Sequence, residues 1–316
     1  MKRILLAKKT LVFTTIFLFI FTLLSFYDYY SLEFSYTNDY YNIIDKCGES
    51  GSEPNNKLCY WYKTDESVKR YKIENDPTAK YKQLDAITLT CYIVEQTTFR
   101  NLQLLSPLFI TIIVISNIHK EISSGMVKNY LTRINYKKYL WKNLKLLGIV
   151  SLIFPLLLCF TFSISCIVTK FNFNYPSTIT NNAVYTSFKY NHFFLYGMLI
   201  CLFQYFLSFA FGALALAFGK NNKNILVSII TSFIYIILIV IFINVVIYAL
   251  VINKIFGIKN LSEYFMVTSY WFLDKGTNIF LMAIITFLFL IFSLLVYYLS
   301  YKNKERFIIE NEKVTA

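Results

Sequence analysis

The chain has 316 residues, 56% of them hydrophobic and only 16% charged, with a formal net charge of +13. Soluble domains carry about a quarter of their residues as charged side chains, so a soluble domain is excluded. A membrane β-barrel is excluded too, because ten-residue segments of alternating polarity are absent. With 9 glycines and 5 prolines, long uninterrupted helices are expected, and the fold class is an all-α integral membrane protein.

Six stretches approach the roughly 20 residues a helix needs to cross a hydrocarbon core of about 30 Å. The first, residues 11–27, follows the basic residues Lys2, Arg3, Lys8 and Lys9. No small-residue cleavage site follows it, so it reads as a retained helix rather than a cleaved signal. Next comes a polar, tyrosine-rich segment, 28–98, too long for an idle connector and expected to form an external subdomain. It holds Cys47 and Cys59. These either bond, closing a short loop worth about 3 kcal/mol, or stay as thiols. Cys91 is a third cysteine on that side, so the spacing does not assign a pairing.

The second stretch, 99–118, has Arg100, Asn101 and Gln103 at its outer end and Pro107 as an expected kink. Residues 119–146 follow as the one sizeable internal loop. Ile118, Ile122 and Met126 recur at a spacing of four, as do Tyr136, Leu140 and Leu144. Each set makes one apolar stripe on a helix. Asn135 is placed to cap the second helix, which gives helix, turn, helix lying along the inner membrane surface.

The remaining spans are 147–168, 193–218, 225–252 and 279–300. Cys159, Cys166 and Cys201 lie within them and read as small packing residues. Gln204 and Asn244 are either helix-packing polar groups or part of a translocation path, because an unpartnered buried amide costs roughly 1–3 kcal/mol. Gly212, Ala213, Ala215 and Ala217 form a small-residue patch suited to close helix contact, within one chain or between two.

Charge decides the orientation. Residues 1–10, 119–146, the 220–224 turn and the tail after 300 carry the whole excess of +13, and the loops on the other side balance to zero. The basic side is therefore the cytosol, with both termini on it. The bias accounts for the positive charge without nucleic acid, for which no motif is present. The basic juxtamembrane residues suit anionic lipid headgroups. The Lys, Asn, Ile, Tyr and Phe bias is what an AT-rich genome encodes, which fits the plasma membrane of a low-GC bacterium.

Enzyme chemistry finds little to work with. The two histidines, His119 and His192, lie at helix ends, and no HExxH motif or intramembrane carboxylate pair is present. Gly219-Lys220 is followed by Asn221 where a phosphate loop needs Ser or Thr. No catalytic residue, cofactor or metal site is expected.

At the internal loop the sequence resembles the permease subunits of ABC-2 type transporters. Their coupling segment opens with a Glu and, four residues on, a Gly, followed by an apolar-basic stretch and a Pro-x-x-Arg-like turn. Glu121 and Gly125 match the opening, Lys128 and Leu131 the stretch, and Lys137 the basic residue of the turn; Ile134 stands in place of the proline. The resemblance implies one six-span transmembrane domain over residues 1–316, with the external subdomain at 28–98 and a cytosolic coupling segment at 119–146. It further implies a separate cytosolic ABC ATPase docked on that segment, and a second permease chain, in a homo- or heterodimer, completing an export path. A peptide bacteriocin or a drug is the substrate class that fits a low-GC bacterium. The alternative is a membrane-anchored binding or sensory protein working through residues 28–98. An ATP-independent carrier would show inverted repeats or intramembrane charges, and neither is present.

Overall fold

The computed structural model describes residues 8–47, 86–124, 127, 135–173, 192–220, 224–255 and 279–303. Among them the fold is all-helical, with no strand. Nine α-helices follow in order: α1 (Lys8–Cys47), α2 (Ala86–Glu95), α3 (Thr97–Leu104), α4 (Ser106–Ser123), α5 (Tyr136–Val150), α6 (Ile153–Val168), α7 (Phe193–Gly219), α8 (Ile225–Phe242) and α9 (Ile279–Tyr301). A π-helical segment, Ile243–Ile255, continues α8.

Five helical stretches are long and apolar enough to cross a membrane: Lys8–Ser31, Tyr136–Val168, Phe193–Gly219, Ile225–Lys254 and Ile279–Tyr301. The expected second span is divided instead. α3 stops at Leu104, Leu105 caps α4, and Pro107 occupies the first turn of α4. Proline fits a first turn, where its missing N–H has no intrahelical partner, so the expected kink is a break. α4 then runs through Ile110 to Ile118 into His119, Lys120 and Glu121, whose polarity sets it apart from the five.

Two boundaries differ from expectation. Residues 28–47, read as part of the external loop, continue α1, and residues 86–95 of the same expected loop are helical as well. A helix of 40 residues is about 60 Å long, twice the hydrocarbon thickness. α5, expected to lie along the membrane surface, instead leads into α6 through Ser151 and Leu152 alone. Hydrogen bonds from Ser151 N to Leu147 O and from Leu156 N to Leu152 O bridge the junction. At 33 residues, or about 50 Å, the combined helix is longer than a membrane core is thick. Asn135 caps α5 as expected, accepting from Lys137 N at 3.3 Å. The buried face of α5 is Tyr139, Asn143, Leu146, Leu147 and Val150. The expected stripe of Tyr136, Leu140 and Leu144 flanks that face, half-buried.

α7 is the hub, packed against α4, α5, α6, α8 and α9. Its small-residue patch is internal: Ala213 and Ala215 are fully buried and Ala217 nearly so. A side chain added at Gly212 would meet Leu147 Cδ2 at 2.6 Å, and one at Gly219 would meet Ile115 Cδ1 at 2.0 Å. These glycines let α4 and α5 approach the α7 backbone.

Contacts at the helix termini define two ends of the bundle. At one, Thr98 donates to the Asp28 carboxylate, Ala86 N donates to Asn172 O at 2.8 Å, and Phe162 packs on Phe193. Lys170 and Phe171 close α6 there in left-handed backbone, with φ of 53° and 60°. That turn brings the Asn172 carbonyl to the first N–H of α2. At the other end lie the C-termini of α4, α7 and α9 and the N-termini of α5 and α8.

Candidate functional site

The second end is built around a buried carboxylate. Glu121, in the last turn of α4, is 1% exposed and pairs with Lys142 of α5 at 2.5 Å. Its other oxygen, Oε2, has no hydrogen-bond partner among the described residues. Burial raises the Glu121 carboxyl above the ordinary carboxylate range, and the Lys142 ammonium, by hydrogen bond and charge, pulls it only part of the way back.

Aromatic and polar side chains extend this pair into a belt across five helices. Asn143, one residue beyond Lys142 and buried, lies against Tyr139 of α5 and Tyr297 of α9. Tyr297 OH donates to Leu140 O at 3.4 Å, and Tyr136 OH donates to Tyr301 O at 2.7 Å. Tyr301 OH in turn donates to Leu216 O of α7 at 3.0 Å, and Ser300 Oγ to Ala217 O at 3.0 Å. Lys220, just past α7, donates to Ser300 O at 2.5 Å with its ammonium 5.3 Å from the Tyr301 ring centroid. Ser228 of α8 closes the belt on the Gly219 carbonyl. Hydrogen bonds therefore tie α4 to α5, α5 to α9 and α9 to α7 at this end.

Lys137 lies on the outward face of the first turn of α5, exposed together with Lys138, Trp141 and Lys145. Gly125, Lys128 and Leu131 lie outside the described residues, as do Met126 and Cys59. Cys47 closes α1, so the proposed Cys47–Cys59 pair is not placed. Cys91 is buried in α2 beside Ile87 and Phe193. Gln204 is buried in α7 with its Oε1 unpartnered among the described residues, and Asn244 is half-buried in the π-helical segment. No metal-ligating cluster occurs among the described residues.

The sequence reading missed Lys142, Asn143 and the tyrosines of the belt. Glu121 and Lys142 are 21 residues apart, beyond any local periodicity. Asn143 lies off the expected apolar stripe of Tyr136, Leu140 and Leu144. The one available signal was Tyr297 and Tyr301, at a spacing of four in the last turns of the final span.

Comparison with known protein families, with characterised proteins and with solved structures finds no match to this chain.

Proposed function

We propose that this chain is the membrane-spanning subunit of an ATP-driven exporter of the ABC-2 type. α4 serves as the second of six crossings, and the Glu121 end faces the cytosol of a bacterial cell with both termini. A separate ABC ATPase docks on residues 119–146, and a second permease chain completes the path. The observation that carries the reading is the hydrogen-bonded belt. A push on the α4–α5 segment has a route of fixed contacts to α9 and α7, which a coupling segment needs in order to move a transport path. The positive charge gathered on the same loops supports the orientation.

The belt also divides the roles of the resembling residues. Glu121 is buried and satisfied within the chain at one oxygen, so it serves as an internal tie rather than a contact for the ATPase. Docking falls to Lys137 with Gly125, Lys128 and Leu131. An antimicrobial peptide or a drug, exported for defence or self-immunity, is the substrate class proposed.

The test is co-expression with an ATP-binding cassette protein encoded beside this gene. Gly125→Leu and Lys137→Glu are expected to leave membrane insertion intact and to abolish co-purification of that ATPase. Unchanged association and transport in the double variant would reduce the loop to a membrane-surface anchor.

A second reading, a sensory or binding protein working through residues 28–98, draws on α1, which at 40 residues extends well past the membrane core. Deleting residues 48–85 separates the two: a transporter retains ATPase association, whereas a sensor loses its only working part.

A further inference from the structure

Hydroxyl groups of the apolar helices bond to backbone carbonyls, and Ser228 and Ser300 reach carbonyls of α7. Thr111, Ser151, Thr161, Ser232 and Ser293 each donate to the carbonyl four residues earlier, at 2.7–2.9 Å. That bond satisfies a hydroxyl in a medium without water. Ser208 of α7 and Thr286 of α9 depart from the pattern. They are 0% and 2% exposed, and neither hydroxyl has a hydrogen-bond partner among the described residues. Gln204, one turn before Ser208, is 3% exposed and equally unpartnered at Oε1.

Ser208 and Thr286 lie at one level of the bundle, with Gln204 one turn beyond it on α7. α7 and α9 run in the same direction, since Leu216 and Ala217 meet Tyr301 and Ser300 at the Glu121 end, while Phe211 meets Phe289 farther in, ring centroids 5.4 Å apart. Ser208 precedes Phe211 by three residues and Thr286 precedes Phe289 by three. Each therefore shares the face of the phenylalanine it precedes, one turn farther from the Glu121 end. Gln204 follows on the same face of α7, at a spacing of four.

We propose that Gln204, Ser208 and Thr286 form a buried water site between α7 and α9. An orphaned buried acceptor and two orphaned hydroxyls are costly alone. About three polar partners is the usual complement of a buried water, and one water joins groups too far apart to bond directly. Gln204 Oε1 accepts from the water, and the two hydroxyls donate to it or accept from it. The guest is neutral, because neither α7 nor α9 carries an acidic residue and an uncompensated cation at this depth is expensive. The α7–α9 contact, the most extensively packed among the described residues, is thus wet at one point, whether or not the chain transports anything.

The test uses the full-length protein in detergent and reads its thermal midpoint. Ser208→Ala, Thr286→Val and Gln204→Met each take a partner from the water, and each is expected to lower the midpoint. The triple variant expels the water and is expected to lose less than the three singles together. If the site is dry, each single removes an unsatisfied polar atom; midpoints that stay unchanged or rise would overturn the proposal. So would a midpoint that depends on sodium against choline in the buffer, which would mark a cation instead. A high-resolution experimental map supplies the second measurement: a density peak within hydrogen-bond reach of all three side chains is expected, and a continuous apolar contact there would refute the site.

Discussion

α7 and α8 are neighbours in sequence, separated only by residues 220–224, and both are apolar enough to lie in lipid. Yet 67% of the α7 window is buried inside the bundle and only 11% of the window that begins with α8. The more apolar of the two is the one left outside. In water the opposite order holds, because burial follows hydrophobicity. In lipid an apolar surface gains nothing by hiding, and the interior goes to the helix that packs most closely and carries polar groups needing partners. α7 has Gly212, Gly219 and three alanines where α4 and α5 approach, and it has Gln204 and Ser208. α8 turns inward only the narrow stripe Ser228, Ser232 and Ile236; Leu226, Ile230, Ile234, Leu238 and Ile241 face outward.

The largest test of this contrast lies at the belt, where the interior holds a charge. Replacing Lys142 with Met leaves the Glu121 carboxyl buried without its cation, and breaking a buried pair from one side costs about 3–5 kcal/mol. Glu121→Gln/Lys142→Met removes both charges and is expected to recover most of that loss in detergent unfolding. A pH scan adds a signature. With the Glu121 pKa raised in the fold, its contribution to stability is fully present below the ordinary carboxylate pKa and is lost as pH rises through the raised value. Glu121→Gln should flatten the fall in stability as pH rises above the ordinary carboxylate range. A loss for the double variant as large as for Lys142→Met alone would mean that packing, not charge, holds this end.

The next test compares one residue type on the two helices. Leu207 of α7 is fully buried and Leu238 of α8 is 53% exposed. Leu207→Ala opens a cavity among close-packed neighbours and is expected to cost about 2–5 kcal/mol. Leu238→Ala exchanges one lipid contact for another and should stay within about 0.5 kcal/mol. Equal losses would show that α8 is covered by something other than lipid, such as a second chain, and would move it to the interior side of the comparison.

Much of this contrast was legible in the sequence. Three of the expected spans, 193–218, 225–252 and 279–300, begin and end within two residues of the apolar helices found there, and Asn135 caps α5 as its side chain allows. The capping polar group and the length of an apolar run are local properties. What failed was tertiary in origin. Residues 28–47 are polar and tyrosine-rich, and composition could not tell a helix projecting beyond the membrane from a loop. Pro107 marked an irregularity but not whether it would bend or end a helix. Asn143 and Lys142 lie off the apolar stripe of Tyr136, Leu140 and Leu144, and only the packing of α5 against α4 and α9 places them inside. Gly219 was read as the end of a false phosphate loop, whereas its position is fixed by the approach of Ile115.

That glycine gives the smallest effects and the most exacting comparison. A methyl group at Gly219 would lie 2.0 Å from Ile115 Cδ1 and 2.8 Å from Ser232 Oγ, whereas one at Gly197, near the start of the same helix, would meet nothing within 4 Å. Ile115 is itself buried and Ser232 is held by Ser228 O at 2.7 Å, so neither neighbour can retreat without disturbing the α4–α8 contact. Gly219→Ala is therefore expected to destabilise by about 1–3 kcal/mol, the usual cost of overpacking. Gly197→Ala meets no obstacle and gains the helix propensity that glycine lacks, up to about 1 kcal/mol of stabilisation. The two substitutions add the same atom to the same helix, so their opposite signs measure what α7 gives up in propensity to be approached closely. Should Gly219→Ala prove neutral in detergent unfolding while Gly197→Ala stabilises, the three-helix contact at Ile115 is looser than these distances require, and the interior position of α7 would then rest on its polar groups and on α9 alone.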